Sequence, residues 1–341
     1  MFVCGSLCPE IQKLDISAFR SKNSYIWVMT AVLSDMITIL GHTAGGKTFL
    51  AAQVADALNG EVISADSRQV YRGMTIGTGK DYDDYMVNGV QVPVHLVDIL
   101  DAGAEYNVFE FRKDFYRVYT DLKDRGKLPV LCGGTGMYIE AVLREYEMLN
   151  VPVNESRRRE LEGLDLEELK TVLSRYRSLH NTTDILSRKR AIRAIEIAEY
   201  EHEHGSQQQS LPRIRSLNIG VRYDREERRR RITARLRQRL EGGMIAEAES
   251  LLDAGVGHEK MEYYGLEYKY LSRYLRGVLS YDEMFDSLNT AIHQFAKRQM
   301  TYFRGMERRG VVIHWLDGSR AAEEKVKTVL ELFQNWNASP A

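Results

Sequence analysis

The chain has 341 residues, 44% of them hydrophobic and 28% charged, with 47 Lys and Arg against 48 Asp and Glu for a formal charge of −1. This composition excludes a disordered, collagen-like or coiled-coil chain, and the length predicts two domains or one large domain with an insertion. With charge so nearly balanced, any affinity for nucleic acid has to come from local basic patches.

Residues 1 to 35 read as an N-terminal extension or start-site artefact with little order, because Met29 and Met36 both precede the first strongly patterned segment. The apolar run from Tyr25 to Leu33 is shorter than the roughly 20 residues a bilayer needs, and no small-residue cleavage site follows it, so neither a membrane span nor a signal peptide is expected. Cys4, Cys8 and Cys132 are too few and too scattered for a disulfide framework or a zinc site, which makes a reducing cytoplasm the expected setting.

From residue 36 short apolar runs alternate with amphipathic stretches, the pattern of an α/β fold with a parallel sheet flanked by helices. Strands are predicted at Met36 to Leu40, Glu61 to Ala65, Val94 to Ile99, Leu128 to Cys132, Leu217 to Val221 and Val311 to Trp315. The first four end in polar or glycine residues, and ligands of such sheets bind at the carboxyl ends of the strands. A helix follows the first strand over Phe49 to Leu58, and a long one is predicted from Asp224 past Ala248, with others at 264 to 276 and 281 to 304. Strand signals vanish between about 143 and 210, where Arg, Glu and Leu recur at helical spacing and the polar tract EHEHGSQQQS closes the stretch. The resulting plan is a core of residues 36–142 and 211–320, a helical insertion at 143–210 and a C-terminal tail at 321–341.

The motif GHTAGGKT spans Gly41, His42, Thr43, Ala44, Gly45, Gly46, Lys47 and Thr48 and fits G-x-x-x-x-G-K-[ST] between a strand and a helix, which predicts a P-loop NTPase-like core. Its glycines let backbone N–H groups and the helix N-terminus face a polyphosphate. Lys47 supplies a point charge, and the Thr48 hydroxyl is a ligand for Mg2+. The loop says which group is held, not which bond is broken. A kinase or ATPase needs a metal-binding acid as well: Asp98, ending HLVDI, and Asp66, ending EVISAD, are rivals for an acid near the phosphates, and Asp66 is placed for general-base work.

Around Asp66 the segment SADSRQVYRGMTIGTGK (64 to 80) resembles the signature of the tRNA dimethylallyltransferases. VPVHLVDI, Glu105 to Phe109, LCGGTGMYIEAVL, RAIRAIE and AKRQMTYFR follow in the same order, so the resemblance covers 36 to about 317. It implies that the loop grips the diphosphate of dimethylallyl diphosphate, and that the five-carbon group passes to N6 of the adenosine 3′ of the tRNA anticodon, with Mg2+ as cofactor. It implies Asp66 as general base, Thr43 and Lys47 at the reacting diphosphate and Arg235 reaching toward it. It further implies Ser67, Arg68 and Gln69 in a tRNA-contacting stretch and Thr135 beside the target base.

The target base has to be extruded, and the anticodon stem has to be held by its phosphates. Arg157, Arg158 and Arg159, then Arg188, Lys189, Arg190 and Arg193, form the cluster expected to do so, although each of them also has a glutamate within reach for an ordinary ion pair. Arg228, Arg231, Arg235 and Arg239 share one helix face at spacings of three and four. Tyr263, Tyr264, Tyr302 and Phe303 suit either base stacking or the core, and His95 is expected to be structural.

Several positions depart from the family pattern. His42 and Gly45 replace proline and serine, IGTGKD (76 to 81) replaces IGTAKP, and Leu266, His293 and Ser187 replace tyrosine, arginine and aspartate. These changes put RNA choice in question more than prenyl chemistry. The competing readings are an adenylate isopentenyltransferase acting on a free nucleotide, a P-loop nucleotide kinase and a non-catalytic RNA-binding module. A monomer is expected.

Overall fold

The computed structural model describes residues 35–144, 151–176, 185–204 and 214–338. All but the last residue of the expected N-terminal extension, and most of the polar tract at 201 to 210, lie outside them. In chain order the elements are β1 (Met36–Gly41), α1 (Lys47–Ala57), β2 (Gly60–Ser64), a 3-10 turn (Tyr82–Tyr85), β3 (Met86–Val87), β4 (Val90–Gln91), β5 (Val94–His95), α2 (Val108–Asp124), β6 (Leu128–Gly133) and α3 (Gly136–Leu143). Then come α4 (Glu155–Glu162), α5 (Leu166–Ser174), α6 (Arg188–His204), β7 (Ser216–Arg222), α7 (Arg225–Glu241), α8 (Met244–Asp253), α9 (His258–Tyr263), α10 (Leu266–Leu275), α11 (Tyr281–Arg308), β8 (His314–Asp317) and α12 (Ala322–Ala338). None of the described helices is long and apolar enough to cross a membrane.

The chain divides into two compact units: the described residues up to Arg144 and from Ile214 onward, and those between. In the first, six parallel strands run in the order β5-β2-β6-β1-β7-β8. Every residue of β1, β2 and β6 is buried, as expected of strands covered on both faces. Met36 and Leu40 of β1 pack with Phe111, Phe115, Tyr138 and Phe303 from helices on one face. Ile37 and Ile39 face the other way, onto α1 and α12. The buried Glu140 ties α3 to α11: its carboxylate accepts from Arg309 Nε at 2.6 Å and Nη2 at 2.9 Å and from the Tyr302 hydroxyl at 2.7 Å.

In the second unit Leu161, Leu169, Leu173, Ala191, Ile195 and Ala198 form a small core of their own. Asn154 caps α4, and Asp165 with Glu168 closes a capping box on α5. Glu196 is 4% exposed and accepts from Arg158, Arg193 and the Asn154 amide, so the buried charge is fully partnered.

Several expected elements differ. The strand predicted at 94 to 99 ends at His95, because Leu96 and Asp98 have positive φ of 62° and 53° and turn the chain out of the sheet. The last strand lies at His314–Asp317 rather than 311 to 315. The helix predicted from 224 past 248 is two helices, broken at Gly242 and Gly243, where Gly243 has φ 98°. The helix predicted at 264 to 276 starts at Leu266, with α9 before it. The C-terminal tail holds α12, whose Val326, Val329, Leu330 and Phe333 are buried.

Candidate functional site

The loops after β1, β2 and β6 meet at the carboxyl edge of the sheet. Together with α7, the start of α10 and α11 they line a cavity of about 460 Å³. Thr43, Lys47, Thr48, Asp66, Ser67, Arg68, Gln69, Thr135 and Arg235 all face it. A second cleft of about 730 Å³ lies on the outer side of the phosphate loop; Ala44, Gly45, Gly46, Lys47, Thr48 and Arg235 line it with Asp81 and Asp84.

The phosphate loop is locked from several sides. Gly46 takes the left-handed conformation, φ 67°, and launches α1. Lys47 Nζ donates to the His42 carbonyl at 2.7 Å, Arg231 Nε donates to the Ala44 carbonyl at 3.2 Å, and the Thr43 amide donates to Gln299 Oε1 at 2.9 Å. Gln299 spans the cavity: its Nε2 donates to the Gly134 carbonyl at 2.9 Å. Burial pushes the Lys47 ammonium down to about 8, with the Arg235 charge adding to the fall and Asp66 opposing it.

His42 is the first residue after Gly41 in the phosphate loop. It is buried against the ring of Tyr223, and Nδ1 lies 2.6 Å from the Thr43 carbonyl. Burial pushes its pKa down to about 4, so the ring is neutral in the folded chain. An unfolded histidine gains its proton near pH 6.5; between pH 6.5 and 4 only the unfolded chain is protonated there, so stability falls with pH across that window. Thermal midpoints of the wild type and His42→Asn should therefore diverge at neutral pH and converge toward pH 4.

Asp66 is fixed by its own turn, with the Arg68 amide donating to Oδ1 at 2.8 Å. Among the described residues Oδ2 makes no hydrogen bond. Next to it the Ser67 amide donates to the Thr135 hydroxyl at 3.2 Å, and Ser64 and the Gly79 carbonyl hold Gln69. The loops after β2 and β6 approach closely: a Cβ at Gly133 would lie 2.3 Å from the Ala65 carbonyl oxygen, which is why only glycine stands there.

Asp98, the rival acid, lines neither cavity. It is paired with the buried Lys80 and accepts from the Tyr82 hydroxyl. His95 is structural, 2.7 Å from Glu61, whose carboxylate also binds Arg125. On α7, Arg231, Arg235 and Arg239 point to the loop and cavity, whereas Arg230 pairs with Glu227. Tyr264, Phe303 and Tyr302 belong to the core or its edge, but Tyr263 is 40% exposed on the cavity rim, with the Arg68 guanidinium 5.1 Å from its ring centre.

In the second unit Arg157 is clamped by Glu199 and Glu160, and Arg193 is held by Glu196 and the Val151 carbonyl. Lys189 and Arg190 are exposed. Gln299 lies within AKRQMTYFR but nothing in that motif gave it a role, and no pattern in the sequence marked Glu247. The Glu247 carboxylate accepts from the amides of Thr75, Ile76 and Gly77 and from the Tyr268 hydroxyl, and so shapes the loop that forms one cavity wall. Both lie on helices far from the loops they hold, and their roles exist only in the folded chain.

Among the described residues no group of three or more His, Cys, Asp or Glu could hold a metal ion. The Thr48 hydroxyl, at the phosphate loop, is the side-chain oxygen that would hold a divalent cation there.

Residues 69–306 match the family model described as IPP transferase. The chain is 56% identical over 303 residues to a tRNA dimethylallyltransferase 2 of Phocaeicola vulgatus, covering 89% of this chain and 99% of the relative. It is also 56% identical to a tRNA dimethylallyltransferase 1 of Parabacteroides distasonis, over 88% of this chain and 98% of that one. The solved full-length tRNA isopentenylpyrophosphate transferase of Bacillus halodurans superposes with a TM-score of 0.65 at 32% identity, covering 89% of this chain and 96% of that one. A eukaryotic dimethylallyltransferase solved acting on tRNA shares the fold, with a TM-score of 0.71 at 21% identity. With a family model matched over most of its length and relatives at more than half identity, the chain belongs to the IPP transferase family.

Proposed function

We propose that this chain transfers the dimethylallyl group of dimethylallyl diphosphate to N6 of the adenosine 3′ of the anticodon in tRNA. The observation that carries the reading is a single cavity lined at once by the phosphate loop, the Asp66 carboxylate and Thr135. The diphosphate sits against Lys47, Thr43 and Arg235. The extruded adenine enters past Tyr263 and Thr135 and presents its amine to Asp66. The N6–C bond forms, the allylic C–O bond breaks, the amine proton passes to Asp66 and the electron pair leaves on the diphosphate. Because an adenine amine is a weak nucleophile, alignment supplies most of the rate, and the enclosing walls keep water from the allylic carbon.

Mg2+ held by Thr48 and the diphosphate would neutralise charge on the leaving group. Lys47 and the loop amides meet the same charge with donors already in place.

Lys189 and Arg190, exposed on α6, are the proposed phosphate contacts for the tRNA stem, and Arg157 and Arg193 brace the helices that carry them. The double variant Lys189→Ala, Arg190→Ala should weaken tRNA binding across all tRNA sequences and make its salt dependence shallower by about two phosphate contacts. Filter binding over a salt series reads this directly.

The protein should act as a monomer. Incubated with dimethylallyl diphosphate and unmodified tRNA, it should give N6-isopentenyladenosine on nucleoside mass spectrometry, and give no product with AMP. A prenylated AMP product would favour a free-nucleotide enzyme, and phosphoryl transfer from ATP without prenylation would overturn the reading.

A further inference from the structure

Arg235 and Arg239 stand side by side on α7 where the two cavities meet, and both engage Asp81. Arg235 forms a direct ion pair with the Asp81 carboxylate, and Arg239 Nη2 lies 3.9 Å from its other oxygen. Two residues earlier, Gly79 has φ 71°, and a Cβ there would fall 1.8 Å from Arg239 Nη2 and 3.1 Å from Arg235 Nη2. The IGTGKD segment thus leaves room for two guanidiniums and places an acid against them. Lys80, between Gly79 and Asp81, takes no part, being turned away to Asp98 and the Tyr71 carbonyl.

Two cations in near contact, one of them largely buried, need an anion. Burial and the Arg235 charge push Arg239 down to about 10, with Asp81 and then the neighbouring Glu267 opposing the fall. Arg235 also lines the phosphate-loop cavity with Lys47, and Asp81 lines the outer cleft beside Lys47 and Thr48. A diphosphate seated in the loop therefore meets an arginine already engaged by a carboxylate, and that carboxylate repels it.

We propose that Asp81 is an internal counter-anion for the diphosphate site: it holds Arg235 and Arg239 while the site is empty, competes with the incoming diphosphate for them, and speeds departure of the diphosphate product. The inference rests on the reading of the loop as a diphosphate site. Asp81 acts here as a positioning residue that sets affinity, in contact with the arginines rather than with the reacting atoms.

The test is calorimetric titration of inorganic diphosphate with Mg2+ into the full chain as wild type, Asp81→Asn and Asp83→Asn. Asp83 is an exposed acid on the same turn, so its loss removes the same net charge without freeing either arginine. Asp81→Asn should bind diphosphate about fivefold to tenfold tighter, as release of one partly exposed ion pair and one repulsive charge implies, while Asp83→Asn stays within about twofold of wild type. Asp81→Ser repeats the comparison with a smaller neutral side chain if asparagine impairs folding. In turnover assays product inhibition by diphosphate should tighten by the same factor. Equal or weaker binding by both Asp81 variants overturns the counter-anion. If no variant binds diphosphate, and neither does the wild type, it is the loop reading itself that fails.

Discussion

Asp66→Asn is expected to slow prenyl transfer by about 10²- to 10⁴-fold, the range general-base catalysis contributes, while leaving binding of both substrates close to wild type. Asparagine keeps the shape, and its Oδ1 can still accept from the Arg68 amide that fixes the native side chain at 2.8 Å. Only the capacity to take up a proton is lost. Single-turnover measurement with bound tRNA and saturating donor isolates the step, and tRNA affinity measured separately shows whether the anticodon seat survives. Full turnover by Asp66→Asn would remove Asp66 from the chemistry and leave alignment and the leaving-group contacts to account for the rate.

The second large effect is expected at Lys47. Lys47→Met keeps the unbranched stem of the side chain but removes the ammonium that donates to the His42 carbonyl inside the loop. Loss of one preorganised charge at a leaving group costs about 10²- to 10³-fold in kcat, and here diphosphate binding should fall with it. The pH dependence identifies the group. Burial brings the free Lys47 down to about 8, so the charged form that attracts diphosphate is depleted above that pH. Wild-type affinity should fall as pH rises through 8, with a proton taken up on binding, because the bound anion restores the ammonium. That dependence should be absent in Lys47→Met. Calorimetry in buffers of different ionisation enthalpy reads the proton count.

Much of this was legible from local pattern. β1 and the glycine-rich turn after it were readable because a mostly apolar run, with β-branched Ile37, Thr38 and Ile39 at its centre, followed by GHTAGGKT satisfies strand, turn and helix rules at once. Asp66 was readable as an acid ending a strand, but choosing it over Asp98 took the resemblance, and the fold then showed Asp98 committed to Lys80. The run HLVDI read as strand because its composition is right. What it lacked was any local sign that Leu96 and Asp98 adopt positive φ, which tertiary contacts impose. The break at Gly242 and Gly243 was hidden because apolar spacing resumes on the far side. Arg157 and Arg193 looked equivalent to Lys189 and Arg190 until Glu199 and Glu196 were placed beside the former pair.

The bridge made by Gln299 has a kinetic meaning. One amide group joins the proposed seat of the donor, through the Thr43 N–H, to the wall beside the proposed acceptor site, through the Gly134 carbonyl. A shift in either loop is felt by the other through a single side chain, so the two Michaelis constants are not independent quantities. Shortening this residue to alanine should disturb both together, and loading tRNA first should alter how firmly the prenyl donor is gripped, giving synergy between substrates that never share a binding group.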